Sequence, residues 1–229
     1  MKKALVSGAL VLSFLMAHQS QAASIMFSTP FGPDPVASAP FSVTLPKFDS
    51  SLGTLTKVTL MLDASTSAGS IVFDNEAGIG TDVTLGIGAE VTATAPSALA
   101  AVAVPLQSGS GTVDADNDGA PDFVGTDAFS VTGGSGIDSD MAMSSAAGTL
   151  TFYTAAFLGE TFDTTISSVV STFLSSTGGF GPIAPVPGVT DGVVKVTYDF
   201  STSVPEPTSF LLAGLAAIAG LVTYRRRSN

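Results

Sequence analysis

The 229-residue chain has no cysteine, no tryptophan and a single histidine, His18. Without thiols it forms no disulfide and offers neither a thiolate nucleophile nor a soft metal ligand. His18 falls within the first 22 residues, which read below as a cleaved leader, so the remainder has no imidazole. That excludes the Ser-His-Asp and Cys-His nucleophile systems and the usual zinc, copper and non-haem iron sites. Two common catalytic routes survive, a carboxylate pair of the glycosidase kind and a Ser-Lys pair. Both are poorly supplied. The central region has only Lys47, Lys57 and Lys195, and the chain's tyrosines, the remaining material for a sugar platform, are limited to Tyr153, Tyr198 and the tail's Tyr224.

Positive charge is equally scarce. Residues 23–203 hold no arginine and eighteen of the nineteen acidic residues, all but Glu206, against the three lysines, a formal charge of −15. Such a surface is repelled by nucleic acid and by anionic lipid, so neither is an expected partner; cations and neutral glycans remain compatible with it.

The other cations mark the two ends. Lys2 and Lys3 precede an apolar run from Ala4 to Ala17, and Ser20-Gln21-Ala22 supplies a small-x-small site. This is the layout of a secretory signal peptide, residues 1–22, cleaved after Ala22. The last residues, 204–229, carry Pro205-Glu206-Pro207, an apolar segment from Thr208 to Tyr224, and Arg225, Arg226 and Arg227. As a helix the apolar segment covers roughly 25 Å, a little short of the ~30 Å hydrocarbon core, which makes it a marginal transmembrane helix. The arginines belong on the cytoplasmic side and place the preceding chain outside. The two prolines keep Glu206 on extended, protease-accessible backbone.

A triplet, an apolar span and a basic end in this order resemble the PEP-CTERM sorting signal of exopolysaccharide-producing Gram-negative bacteria. The resemblance implies a membrane enzyme, exosortase, that recognises Pro205-Glu206-Pro207 and cuts near it after the secretion machinery has exported the chain. It further implies transient anchoring through the C-terminal helix, then a cell-surface or extracellular location. It covers about a tenth of the chain and gives an address, not an activity.

Between the ends, residues 23–203 suit one domain, and their periodicity is that of strands. Val58, Leu60 and Leu62 alternate with polar residues in Thr54 to Asp63; Val194, Val196, Tyr198 and Phe200 do so in Val193 to Phe200. Further strands are expected at Phe41 to Leu45, Ser70 to Asp74, Asp82 to Ile87, Glu90 to Ala95, Ala128 to Thr132 and Thr149 to Phe157. Helix is scarce: the Ala-rich stretch Pro96 to Val104 is one candidate, and Thr164 to Ser176 suits a short helix or a strand. Gly178 to Gly188 reads as a long loop inside the domain. Many short strands with such spacers predict an all-β fold, an antiparallel β-sandwich or jelly-roll-like single domain.

Three segments of this region, Phe48 to Leu55, Asp118 to Asp127 and Val194 to Phe200, resemble the choice-of-anchor E group. That group comprises exported β-rich domains carried on various sorting tails; the likeness implies a fold and no activity.

One constellation suits metal chemistry. Asp114, Asp116, Asp118 and Asp122 stand at alternate or near-alternate positions of one acidic stretch, with Gly119 sixth. Together with the Ala120 carbonyl they can supply oxygens to Ca²⁺. The spacing resembles the first nine positions of an EF-hand or dockerin-type loop. It departs at position twelve, where Gly125 replaces the bidentate glutamate; Asp127 substitutes only if the loop bends back. The alternative is a solvated acidic turn whose Asp-Gly pairs serve backbone geometry. Asp74 and Glu76, in a turn, and Asp138 and Asp140, in a glycine-rich loop, are weaker pairs that could join a calcium shell or a sugar site.

The sequence thus points to a non-catalytic exported surface or matrix protein associated with exopolysaccharide or biofilm. The alternative is an extracellular carboxylate-dependent glycan hydrolase or a lectin-like glycan-binding module.

Overall fold

Alternation of apolar and polar residues builds most of the molecule, because a strand turns successive side chains to opposite faces. The computed structural model describes residues 19–204. The described residues hold twelve strands, one short helix and a 3-10 turn at Ser50–Leu52. The strands are β1 (Gln19–Pro35), β2 (Phe41–Pro46), β3 (Thr54–Ser67), β4 (Ser70–Asp74), β5 (Thr81–Ala95) and β6 (Leu99–Ala103). They continue with β7 (Leu106–Val113), β8 (Ala128–Thr132), β9 (Ser135–Ser144), β10 (Thr161–Ser176), β11 (Ile183–Val186) and β12 (Val189–Val204). The helix, α1, is Ala147–Tyr153. The expected transmembrane helix and all but the last four residues of the expected leader lie outside the described residues. Ala22, the expected cleavage position, lies near the start of β1.

The strands form three sheets, in the orders β1-β12-β3-β9, β2-β10-β5-β6 with β7 also on β5, and β11-β4-β8. The pairs β2–β10, β10–β5, β5–β6, β5–β7, β3–β9, β4–β8 and β4–β11 are antiparallel. The first two sheets share one core. Val58, Leu60 and Leu62 of β3 and Val194, Val196 and Tyr198 of β12 meet Leu45, Val91, Ala93 and Ile166 from the second sheet. A smaller core joins Ile71 and Phe73 of β4 to Val83, Leu85 and Ile87 at the start of β5. Residues Ala23–Phe200 form one compact unit. In the other unit, Met1–Ala22 with Ser201–Asn229, the Thr202 hydroxyl donates to the Gln21 carbonyl at 3.4 Å.

β5 spans both cores, and its free edge is shared by two successive strands: β7 pairs with Thr81 to Gly88 and β6 with Val91 to Ala95. At the changeover the Pro105 carbonyl turns in and accepts the Ala89 N–H at 3.2 Å. A Cβ at Gly88 would stand 1.9 Å from that oxygen, so only glycine fits.

Several elements differ from the sequence expectation. The Ala-rich stretch after Pro96 is strand β6, because Leu99, Ala101 and Ala103 turn into the core at every second position. Conversely, the stretch expected as a strand from Thr149 begins in α1, which puts Tyr153 into the core. The two strands expected between Asp82 and Ala95 are the single strand β5, and Thr164 to Ser176 is strand throughout. The expected loop Gly178 to Gly188 contains β11. Asp138 and Asp140 sit in strand β9, not a loop, and their carboxylates accept the N–H groups of Val104 and Val102 at 2.7 and 2.8 Å.

Candidate metal centre

Sheet register brings two loops side by side. Asp74 at the end of β4 pairs with Ala128 at the start of β8, and Thr81 at the start of β5 pairs with Val113 at the end of β7. The β4–β5 turn and the β7–β8 loop therefore leave the sheets at one place. Hydrogen bonds stitch them together: the Asn75 N–H donates to the Asp127 carbonyl (3.0 Å) and the Asp116 N–H to that of Ala77 (2.9 Å). Asn75, fully buried, also donates through Nδ2 to the carbonyls of Ile79 (2.9 Å) and Asp114 (2.7 Å). The β7–β8 loop closes on itself where the Asp114 N–H meets the Thr126 carbonyl at 2.9 Å.

Within this frame the acidic residues separate by task. Asp74, 3% exposed, accepts the N–H groups of Asp122 and Phe123, both at 2.7 Å, and so fixes the far side of the loop. Asp116 Oδ1 accepts from Asp118 (3.0 Å) and Gly119 (2.8 Å), an Asx turn closed by the left-handed Gly119 at φ +76°. Asp118 Oδ1 accepts from Ala120 at 3.2 Å, and Asp122 Oδ1 from Val124 at 2.8 Å.

The carboxylates of Asp116, Asp118 and Asp127 converge, with ligand atoms within 4.8 Å of one another. Of the residues predicted to bind calcium, Asp116 and Asp118 are in this group. Asp114, Ala120 and Asp122 lie outside it, exposed on the same loop. The third carboxylate is Asp127, brought in because the loop bends back through the Asp114–Thr126 bond. Asp127 is 2% exposed. Its Oδ2 takes the Asn117 amide Nδ2 (3.0 Å) and backbone N–H (3.4 Å), and its Oδ1 has no hydrogen-bond partner. Gly125 faces that oxygen: a Cβ there would lie 2.8 Å from it.

Glu76 completes the negative cluster. Its carboxyl is held above the usual carboxylate range, first by burial and then by the charges of Asp116, Asp74, Asp118 and Asp127. Asp116 is shifted down by the N–H groups of Gly119 and Asp118, against the opposing effect of burial. The sequence spacing pointed to the loop, whereas Glu76 and Asp127 become neighbours only through the β4–β8 and β5–β7 registers. A set of carboxylates without imidazole or thiolate suits a hard cation coordinated through oxygen.

Fold and site together describe an all-β, strongly acidic domain with one crowded carboxylate cluster. The chain's C-terminal residues 203–227 match the PEP-CTERM protein-sorting motif. The motif implies an exosortase-sorted protein that is secreted, anchored in the membrane before cleavage, and then extracellular or surface-located. Pro205, Glu206, Pro207 and Arg225 to Arg227 fall within it and lie outside the described residues. Among the described residues no helix is long and apolar enough to cross a membrane.

No curated protein matches the chain. Among solved structures, one of infectious bursal disease virus Gt strain is 13% identical over 80% of this chain and 43% of its own, with a TM-score of 0.12. The infectious bursal disease virus VP2 subviral particle is 10% identical over 91% and 49%, with a TM-score of 0.10. The chain thus spans less than half the length of either, and the fold rests on its own strand pairing.

Proposed function

We propose that the chain is a non-catalytic exported protein whose acidic domain, a jelly-roll-like sandwich related to the choice-of-anchor E group, serves at the cell surface or in an exopolysaccharide-rich matrix. The observation that carries this reading is the PEP-CTERM match at residues 203–227. The absence of cysteine, and of histidine beyond His18, supports the non-catalytic part. So does an open groove of about 550 Å³ lined by Asp63, Ser65, Ile137, Asp138 and Gly192. Of its two carboxylates, Asp63 is paired with Lys195 and Asp138 holds the Val104 N–H, structural uses that account for both without a catalytic role.

Replacing Pro205-Glu206-Pro207 with three alanines tests the sorting step. The variant should stay uncut in the membrane fraction, while the unaltered chain is processed and found outside the membrane; normal processing of the variant would refute the reading. Incubating the exported protein with a polysaccharide panel tests the non-catalytic part. No turnover is expected, and turnover lost on substituting one pair of aspartates would establish a hydrolase instead.

A further inference from the structure

We infer that Asp116, Asp118 and Asp127, with Glu76 beside them, form a calcium site that ties the β7–β8 loop to the β4–β5 turn. Two observations carry this independently. The first is distance. Ligands held about 2.4 Å from one Ca²⁺ lie no more than about 4.8 Å apart, and these three carboxylates meet that limit without rearrangement. The second is the state of Asp127. A carboxylate that is 2% exposed carries an oxygen, Oδ1, that no protein donor among the described residues reaches, although its other oxygen is held by Asn117. A buried anionic oxygen without a donor is costly, and burial is ordinarily tolerated when a cation takes up the free lone pairs.

The surroundings favour calcium over its competitors. All the candidate ligands are oxygens, which disfavours zinc and copper. The three ligands come from a loop shaped by Asx turns, with no regular element to impose strict octahedral geometry. Mg²⁺ demands such geometry and gives up its water reluctantly, whereas Ca²⁺ accepts six to eight oxygens in irregular arrangements. Gly125 stands where an EF-hand-like spacing would put a bidentate glutamate, and a side chain there would press on Asp127 Oδ1. The sequence thus moves the closing ligand from position twelve to Asp127 and keeps its approach clear. Asp74 has a different part: its Oδ2 holds the loop backbone at Asp122 and Phe123.

The ligand set differs from a linear reading of the acidic stretch, and this gives the test its controls. The full-length protein in detergent, stripped with EGTA, is titrated with CaCl₂ and with MgCl₂ at constant ionic strength, followed by calorimetry and by thermal melting. The expected result is one calcium per chain, with affinity in the range of extracellular modules, about 10⁻⁴–10⁻³ M. The melting temperature should keep rising with calcium by mass action on the folded state. Asp127→Asn, and separately the exposed Asp118→Asn, should weaken calcium by at least about tenfold, since affinity follows ligand charge. Asp114→Asn should bind as the unaltered protein does.

The assignment fails if the unaltered protein shows neither heat nor a melting shift at about 10 mM calcium, well above that affinity range. It also fails if magnesium acts as strongly as calcium, which would mean unselective divalent association with the acidic surface and not a calcium site, or if Asp118→Asn binds unchanged. Should Asp127→Asn not fold, Asp118→Asn and the unaltered titration still decide.

Discussion

At the scale of single residues, two tyrosines hold the centre of the larger core. Tyr153 and Tyr198 are fully buried, and each hydroxyl donates to a proline carbonyl, Pro96 and Pro46 respectively, at 2.8 Å. Tyr153 meets Phe162 edge to face, with centroids 4.9 Å apart, and lies 6.5 Å from Tyr198. Burial pushes the Tyr153 hydroxyl up to about 12. The same effect raises Tyr198 further, with the neighbouring Tyr153 adding to it. An exposed tyrosine in the unfolded chain loses its proton near pH ~10. The folded state therefore binds these protons more tightly, and their stabilisation is complete below pH ~10 and drains away as pH rises towards about 12. Melting temperature measured against pH should fall steeply across that window. Tyr153→Phe with Tyr198→Phe should flatten the fall while costing about 1–2 kcal/mol per site at neutral pH, because each leaves a part-buried carbonyl without its donor. An equally steep alkaline fall in the double variant would show that the tyrosines are not its source.

At the scale of elements, β9 closes the first sheet at one edge and reaches the second through Asp138 and Asp140. These carboxylates take outward-facing N–H groups of Val102 in β6 and of Val104 just beyond its end, and so stand in for a neighbouring strand. Alternation turns the N–H groups of Ala101 and Ala103 the other way, towards β5. Replacing both aspartates with alanine should cost about 1–3 kcal/mol in all, since the bonds are solvent-exposed. Hydrogen exchange should quicken at Val102 and Val104 and stay slow at Ala101 and Ala103; unchanged protection at Val102 and Val104 would mean that the carboxylates do not hold the edge.

The same strand shows what sequence could reveal. β3 and β12 were legible because Val, Leu and aromatic residues alternate with polar ones over a long run. β9 was not, because aspartates at every second position look like a loop until β6 is placed beside them. β6 was obscured by alanine, a helix former by propensity, whose alternate residues Ala101 and Ala103 here turn into the core. α1 was obscured by Thr149, Thr151, Phe152 and Tyr153, residues that favour strands until the core claims Tyr153. In the candidate site, Asp116 and Asp118 were readable from spacing, and Asp127 and Glu76 were visible as acidic residues nearby, but that they join the cluster depended on the Asp114–Thr126 loop closure and on sheet register, which no local pattern encodes.

At the scale of the whole molecule, charge is the dominant unbalanced term. Every lysine among the described residues is paired: Lys47 with Glu160 at 2.5 Å, Lys57 with Asp199 at 2.6 Å, and Lys195 with Asp63. The other fifteen carboxylates of residues 23–203 have no cationic side chain left to pair with. Salt acts on these two populations in opposite directions. It weakens the two more exposed ion pairs, Lys57–Asp199 and Lys195–Asp63, but such pairs are worth about 0–1 kcal/mol each, and it reaches the part-buried Lys47–Glu160 pair less. It also screens repulsion among the unpaired carboxylates, which is summed over many more pairs and acts across distances comparable to the ~10 Å Debye length at 0.1 M. The second effect should win. Melting temperature should therefore rise as NaCl increases from about 10 mM to about 500 mM and level off once the screening length falls to a few ångströms. Calcium at a fixed, high ionic strength should still add a further increment, because a bound ion acts at one place and not through the diffuse atmosphere. A melting temperature that fell with NaCl would show that the three lysine pairs outweigh the repulsion of the remaining carboxylates.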